Sequence, residues 1–428
     1  MTDILQIIVN GLFVLAVILI WFMIGWQLLL TLAGYFHHVS SMKERRNVDT
    51  DAEAQELPGV SILIPAHNED VVIDATLRAM RALSYPEEKL EIIVINDGST
   101  DRTGDIVRQH AMEDPRIICF DVPAGEGGKG KSRALNLGFR RARFPVIAVY
   151  DADNTPAADA LRYLTVQLVR HPELGAVLGK FRTVNKTRTL LTRFINIETL
   201  SFQGILQAGR WKMMRIATLP GTNFVIRREI IEELGGWDED AITEDSELSI
   251  RMYMQGWKIK FIPYSVTFEQ EPETWSVWIR QRTRWVRGNN YVSKKFLGQW
   301  KALRSRRLRF EVFNAVALYY IFFVAIVISD LLFILAATGV IAIPLPGPYT
   351  LVWIMAVVLF YAEIMLALSY DHEDSFIAFL LIGAMYLVYS QLWLVVVAKA
   401  LYMDVIRKEG MTWAKTVRFA RDGKGGPE

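Results

Sequence analysis

Apolar residues gather at the two ends of this chain, and that arrangement limits its architecture more than any other feature. Residues 4–36 are nearly free of charge and begin ILQIIVNGLFVLAVILIWFMIGW. A bilayer crossing takes about 20 apolar residues, so this stretch is one span and too short for two. No Lys or Arg precedes Lys43, so the basic start of a cleaved secretion signal is missing. Three further apolar runs lie at about 311–340, 349–369 and 375–402. The middle of the chain has ordinary polar composition. The sequence therefore predicts a water-facing domain held between membrane segments, with the lipid bilayer as a partner.

Charge placement suggests an orientation. The first ten residues carry Asp3 and no base, whereas Lys43, Arg45 and Arg46 follow the first span, which puts the N-terminus outside and the middle domain in the cytosol. The end of the chain disagrees. Arg407, Lys408, Lys415, Arg418, Arg421 and Lys424 favour the cytosol, yet three spans after a cytosolic domain would end outside. The run 311–340, which contains Asp330, is where a split or a re-entrant segment would resolve this. The expected divisions are a membrane helix at 1–40, a cytosolic linker at 41–57, the central domain at 58–272 and an interfacial helix at 273–305. About three membrane helices follow at 306–404, then a basic tail at 405–428. Net charge is only +2, which gives no ground for a nucleic-acid partner. The lone Cys119 excludes an internal disulfide and reads, within RIICFDV, as a buried strand thiol.

From Pro58 the pattern alternates. GVSILIPA, LEIIVIND, RIICFDV and PVIAVYDAD read as strands, and VVIDATLRAMRAL, DRTGDIVRQHA, KSRALNLGFRRA and PAADALRYLTVQL read as helices. Strand–helix alternation implies βαβ units in a mainly parallel sheet with helices on both faces. Ligands in such sheets sit beyond the carboxyl ends of the strands. There the sequence places His67-Asn68-Glu69, Asn96-Asp97, and Asp151 with Asp153. In extended chain Asp151 and Asp153 would share a side, where a divalent cation with a diphosphate would relieve their repulsion. A solvated strand-to-helix turn is the plainer alternative.

Three further stretches carry chemistry. Gly125–Ser132 reads GEGGKGKS and matches a phosphate-loop pattern, so a nucleotide-hydrolysing transporter is an alternative. Against it, Pro123-Ala124 interrupts the run from strand to loop, and the next acidic strand follows too closely. In DEDAITEDSELSIRMYMQGW, Thr243 is placed to cap a helix with Glu244 and Asp245 in its first turn. These acids either serve the helix dipole or make Asp245 a base facing the ligand edge. In TWSVWIRQRTRWVRGNN, Trp and Arg at helical spacing predict an interfacial helix, and Gln281, Arg284 and Trp285 share one side of it. A single Trp cannot serve both lipid and sugar, so some of these rings must turn inward.

NDGSTD, DAD, TED and QRTRW, in this order, resemble the family 2 membrane glycosyltransferases, above all the processive cellulose, hyaluronan and poly-N-acetylglucosamine synthases. PAHNE at 65–69, KSRALN at 131–136 and PGTNFVIRR at 220–228 resemble further family segments, and KSRALN displaces the phosphate-loop reading. The resemblance covers about residues 58–290 and implies a GT-A-type α/β fold. It implies that Ala66, Asn68, Glu69, Asp97, Lys131 and Asp151 bind the nucleotide, and that Asp151 and Asp153 hold Mg²⁺ or Mn²⁺. It makes Asp245 the general base and places Gly221, Thr222, Glu244, Gln281, Arg284 and Trp285 around the diphosphate and the acceptor sugar. His67 departs from the aromatic residue common at its position, and a local hydrogen bond is expected of it.

The implied function is inverting, processive transfer from a UDP-sugar to a growing polysaccharide, exported through the enzyme's own helices at the inner (plasma) membrane. Small membrane or envelope export subunits are the implied further partners. Transfer of a single sugar to a lipid is the alternative. Tyr319, Tyr320, Trp353, Tyr361, Tyr386 and Trp393 are candidates to line a passage or to meet lipid, and Asp330 and Glu363 are expected to face protein or water.

Overall fold

A computed structural model describes residues 3–50, 56–123, 125–303, 305–316, 320–345 and 347–410. Tyr319, Lys415, Arg418, Arg421 and Lys424 lie outside the described residues. The first helix, α1, runs unbroken over Asp3–Thr50. Residues 41–50 of the expected linker are therefore helical. No Gly or Pro stands between Gly34 and Pro58, so nothing in the sequence halts the helix at the end of its apolar stretch. Its second half lies on the domain: Glu44 accepts from Lys260 Nζ at 2.5 Å and from the Tyr264 hydroxyl at 3.2 Å.

The domain is built on eight strands: β1 (Val60–Ala66), β2 (Leu90–Asn96), β3 (Ile117–Asp121), β4 (Val146–Val149), β5 (Thr155–Pro156), β6 (Leu174–Thr183), β7 (Phe224–Arg227) and β8 (Lys258–Glu269). They form one sheet in the order β3-β2-β1-β4-β7-β6-β8-β5. Pairs β1/β2, β1/β4, β2/β3 and β6/β8 are parallel, while β4/β7, β6/β7 and β5/β8 are antiparallel. The sheet is thus mixed, with its parallel half at the N-terminal side as the alternating pattern requires. Strands β1 and β2 are almost wholly buried, which is why they read as continuous apolar runs.

Helices α2 (Ile73–Arg81), α3 (Thr103–Glu113), α4 (Lys131–Phe139) and α5 (Ala160–Arg170) connect the first strands. Asp101, just ahead of α3, braces its first residue: Oδ1 accepts from Thr103 N at 2.9 Å and from its hydroxyl at 2.6 Å. Helices α6 (Leu190–Ser201) and α7 (Ala208–Met214) are joined without a break by the π-helical turn Phe202–Gln207. Here α1 passes at backbone contact. A Cβ on Gly34 would strike the Gly204 carbonyl, and one on Gly209 would strike that of Leu30. Helices α8 (Arg228–Leu234), α9 (Glu244–Met254) and α10 (Trp275–Gly298) follow.

The run expected at 311–340 divides. Helix α11 (Arg306–Val316) buries Leu308 and Val312 against Val292 and Phe296 of α10, so it belongs to the domain. Helix α12 (Phe322–Ala337) is apolar but has only 16 residues. Two long apolar helices follow: α13 (Tyr349–Ser369), then α14 (Phe376–Ala384) and α15 (Ser390–Leu401), fused through the π-helical turn Met385–Tyr389. Among the described residues three helices reach spanning length and hydropathy: Ile4–Val48, Leu351–Ser369 and Phe376–Ile406. The aromatic candidates for a passage are mostly used in packing. Tyr361 meets Phe379 at 4.8 Å, Tyr386 meets Phe360 at 5.2 Å and Trp393 meets Trp278 at 6.0 Å.

The connection from α13 to α14 docks on the domain. Asp371 pairs with the buried Lys180 of β6. Glu373 accepts from Arg182 at 2.6 Å, Lys186 at 2.7 Å and Asn196 at 2.6 Å. Burial works to raise the Glu373 pKa, but these donors outweigh it and hold the carboxyl below its ordinary range.

Candidate active site

The carboxyl ends of β1, β2 and β4 converge on one edge of the sheet, as the parallel topology demands. After Ala66 the chain turns through Asn68, whose φ is 56°. Its side chain makes that turn tolerable: Oδ1 accepts from Thr100 N at 2.7 Å, and its own N–H donates to Ser99 Oγ at 3.0 Å. Glu69 N donates to Thr103 Oγ1 at 2.7 Å, tying the β1 loop to the β2 loop. His67 Nδ1 lies 2.7 Å from the Asp97 carbonyl. A carbonyl only accepts, so Nδ1 carries the proton, and Nε2 accepts from Asn68 Nδ2 at 3.2 Å. The local bond expected of His67 is therefore present. Asp97 Oδ1 accepts from Gly128 N at 3.0 Å, bringing the glycine-rich loop over the β2 end. Burial raises the Asp97 pKa.

Asp151 and Asp153 do not sit in extended chain. Strand β4 stops at Val149, and residues 151–154 form a turn closed by Asn154 N donating to the Asp151 carbonyl at 3.1 Å. The alternation that would place both carboxylates on one side does not operate here. Asp151 Oδ1 accepts from Lys131 Nζ at 2.6 Å, whereas the buried Asp153 accepts through Oδ2 from Gln270 N at 3.3 Å. Thr222 Oγ1 accepts from Asp151 N at 3.2 Å and donates to Asn154, which holds the turn. Among the described residues no group of three or more His, Cys, Asp or Glu is arranged to hold a metal.

Lys131 is the hub of the site. Its Nζ donates to Asp151, to the Gly221 carbonyl at 2.7 Å, and lies 3.5 Å from Glu244 Oε1. Burial works to lower its pKa, but Asp151 and Glu244 outweigh that and raise it. The lysine thus points into an acid cluster rather than back over its own loop, which removes the phosphate-loop alternative on structural grounds. Asp245 stands beside it. A Cβ on Gly221, whose φ is +82°, would lie 3.2 Å from both Asp245 Oδ2 and Lys131 Nζ. Glycine is needed there for the backbone and for the space. Burial first, then the neighbouring Glu244 charge, push the Asp245 pKa up to about 7. A cavity of about 340 Å³ opens beside this cluster, lined by Lys131, Ser132, Asp240, Ile242, Glu244 and Tyr291.

Thr243 occupies the cap position of α9, but its hydroxyl makes no capping bond. Gly288 of α10 packs directly on it, leaving no room for a side chain. Gly288 lies one turn beyond Arg284, so the turn carrying Gln281, Arg284 and Trp285 comes up beside the α9 N-terminus. Lys295 fastens the far end of α10 to α9 by donating to Glu247 at 2.7 Å. The tryptophans divide as their double duty requires: Trp278 is fully buried, while Trp275 and Trp285 remain exposed.

Sequence reasoning missed Arg282. Its guanidinium lies 3.9 Å over the Trp285 ring, donates to Gln281 Oε1 at 2.8 Å and to Glu198 Oε2 at 2.7 Å. It is the side chain that poses Gln281 and Trp285, two of the residues expected around the acceptor. The signal was available: it falls four residues from Trp278 and three from Trp285, on the buried side of α10.

Comparison with known proteins fits this geometry. Residues 58–288 match the model of the glycosyltransferase like family 2. The chain is 46% identical over 425 residues to the probable glycosyltransferase YdaM of Bacillus subtilis, covering 97% of this chain and all of that one. It is 32% identical over 258 residues to the poly-beta-1,6-N-acetyl-D-glucosamine synthase of Staphylococcus aureus, covering 60% of this chain and 61% of the synthase. Among solved structures, the mannosyltransferase PcManGT from Pyrobaculum calidifontis, in complex with GDP-Man and Mn²⁺, superposes with a TM-score of 0.56 at 21% identity, over 85% of this chain and 99% of that one. That likeness shows the GT-A-like fold.

Proposed function

The chain belongs to glycosyltransferase family 2 and is a glycosyltransferase, and from that premise we propose that it transfers sugar from a UDP-sugar, with inversion, onto a growing β-linked polysaccharide. The observation that carries the reading is the juxtaposition of Asp245, Lys131 and Asp151 at the ligand edge of the sheet. An acid raised to about 7 is matched to base catalysis near neutrality. In the proposed reaction the acceptor hydroxyl attacks the anomeric carbon in line, Asp245 takes its proton, and UDP leaves with the bonding pair. A single displacement turns an α-linked donor into a β-linked product.

Ala66, Asn68, Glu69 and Asp97 surround the nucleoside in this reading, and Gln281, Arg284 and Trp285 frame the acceptor, with Glu244, Gly221 and Thr222 between. Asp151 and Asp153 offer hard oxygens suited to Mg²⁺ or Mn²⁺. The two carboxylates would hold such an ion together with the bound diphosphate. Such an ion supplies charge stabilisation to the departing diphosphate. Lys131 offers a second positive charge there. Polymer building draws support from the synthase relative, and a multi-pass place in the plasma membrane, with the domain cytosolic and the product exported beside the helices, draws support from the three long apolar helices.

The test is incubation of the purified full chain with a panel of UDP-sugars and Mg²⁺ or Mn²⁺, measuring UDP release and product mass. A long polymer is expected. No UDP released from any donor would overturn the donor assignment, and a product carrying one sugar on lipid would replace polymerisation.

A further inference from the structure

Which apolar helices cross the bilayer is decided by what their ends touch. Gln6 of α1 donates to the Ala342 carbonyl at 2.9 Å, and Phe13 meets Tyr349 at 5.0 Å, so the α12–α13 connection lies at the N-terminal end of α1. Trp26 meets Phe310 of α11 at 5.0 Å, and His38 stacks on Tyr370 at 4.3 Å, so the other ends of these helices lie at the domain. Gln6 and Trp26 are twenty residues apart, about 30 Å of helix, which matches the hydrocarbon thickness. Helix α12 leaves the domain where Tyr320 bonds Asn290 of α10, and α13 returns to it.

The last apolar helix behaves differently. Phe376–Ile406 has 31 residues, about 46 Å of helix. Just before it, Glu373 is held by Arg182, Lys186 and Asn196 of the domain. At its far end, Asp404 accepts from Arg287 at 2.6 Å and from Asn290 at 2.8 Å, and Arg287 also donates to the Glu409 carbonyl at 2.7 Å. Midway, the Tyr389 hydroxyl accepts from Trp278 Nε1 at 3.0 Å and donates to Glu198 at 2.7 Å. The helix meets α13 at Gly383, where the Tyr361 hydroxyl leaves no space for a side chain, and at Tyr386, whose ring lies 5.2 Å from Phe360. The π-helical turn Met385–Tyr389, a known place for helices to bend, begins here. One face, with Ile382, Met385, Tyr389, Val396 and Ala400, is buried, while Leu380, Leu387, Val395 and Tyr402 form an exposed apolar stripe.

Building on the multi-pass membrane reading, we infer that Phe376–Ile406 does not cross the bilayer but lies along its cytosolic face with the exposed stripe in lipid and both ends on the cytosolic side. A crossing helix would have to carry one of its two polar anchor points out of reach of the domain. The occupant of the stripe is lipid, because the stripe is as apolar and exposed as Leu331, Phe333, Trp353 and Val358 of α12 and α13, the second of which meets the helix at Gly383 and Tyr386. The placement also settles the charge conflict noted above: α12 and α13 alone cross after the domain, and Arg407 and Lys408 emerge on the cytosolic side, where basic residues are favoured.

Single cysteines in a Cys119→Ser background, probed in whole cells with a membrane-impermeant maleimide, test this. Val340→Cys, between α12 and α13, should label in intact cells, and Met112→Cys on the domain only after permeabilisation. Arg407→Cys and, as a second position, Lys408→Cys should follow Met112, with labelling rising at least tenfold on permeabilisation. Labelling of either in intact cells, with Val340→Cys behaving as expected, overturns this inference while leaving the membrane reading intact. Failure of Val340→Cys to label in intact cells while it labels in permeabilised ones overturns both.

Discussion

Two charged clusters in this molecule are built from the same residue types and have opposite character. At the sheet edge one cation, Lys131, faces Asp151 and Glu244 with Asp245 beside it. At the docking hairpin three cations, Lys180, Arg182 and Lys186, face Asp371 and Glu373. The docking cluster is close to neutral within itself, and its acid is held below its ordinary pKa. The edge cluster has an excess of carboxylate, and its acid is pushed up to about 7. Surplus like charge in a partly closed site is costly, and a site that keeps it is prepared for a proton, a cation or a substrate rather than for stability.

The largest test of this contrast is Asp245→Asn. It should lower transfer about 10²–10⁴-fold, the usual worth of a general base, and UDP-release rates would show it. The same change should not destabilise the fold, because it removes a repelled charge. Lys131→Met should cost about 10²-fold in rate, the order found for loss of one preorganised electrostatic donor. It should also destabilise by about 3 kcal/mol, since it strands the acids around it; thermal unfolding beside the Asp245→Asn protein would separate the two effects.

How far the sequence led is clearest in these clusters. The first four strands were legible because each is a short apolar run ending in a polar group. In the mixed half, β5 and β7 were not, since Thr155–Pro156 and Phe224–Arg227 are too short to show a period. Asp97, Asp151 and Asp245, which the fold brings to one edge of the sheet, were singled out by motif. The turn that separates the Asp151 and Asp153 contacts was not, because spacing alone cannot tell a strand end from a turn. The docking cluster was invisible: Lys180 and Asp371 are far apart along the chain, and nothing local marks either.

The third test is pH. Asp245 must be ionised to act, so the rate should fall about tenfold per unit below about pH 7. Stability should run the other way. The folded pKa lies above the unfolded value of 3.8, so the native state binds more protons between these limits, and this residue's contribution declines as pH rises through that window. Asp245→Asn should abolish that slope in a pH series of melting curves.

The smallest expected effect is at the balanced cluster. Glu373→Gln should cost about 1–3 kcal/mol, as for a hydrogen-bonded charge losing its partners. Turnover at low temperature should change by less than a factor of about two, because the residue bonds Arg182, Lys186 and Asn196 and none of the proposed reacting groups; a drop approaching that of Lys131→Met would erase the distinction between the clusters. Its folded pKa is depressed, so its stabilisation is present above the ordinary Glu range and lost as pH falls through the lowered value.

The unbroken α1 has a mechanical consequence. On the proposed membrane placement a single rod joins the bilayer interior to β8, clamped at backbone contact by Gly34 and Gly209 and pinned by Glu44. Lipid tails that force the rod to lean must swing the strand it grips, so acyl-chain length becomes a handle on the geometry of the sheet itself.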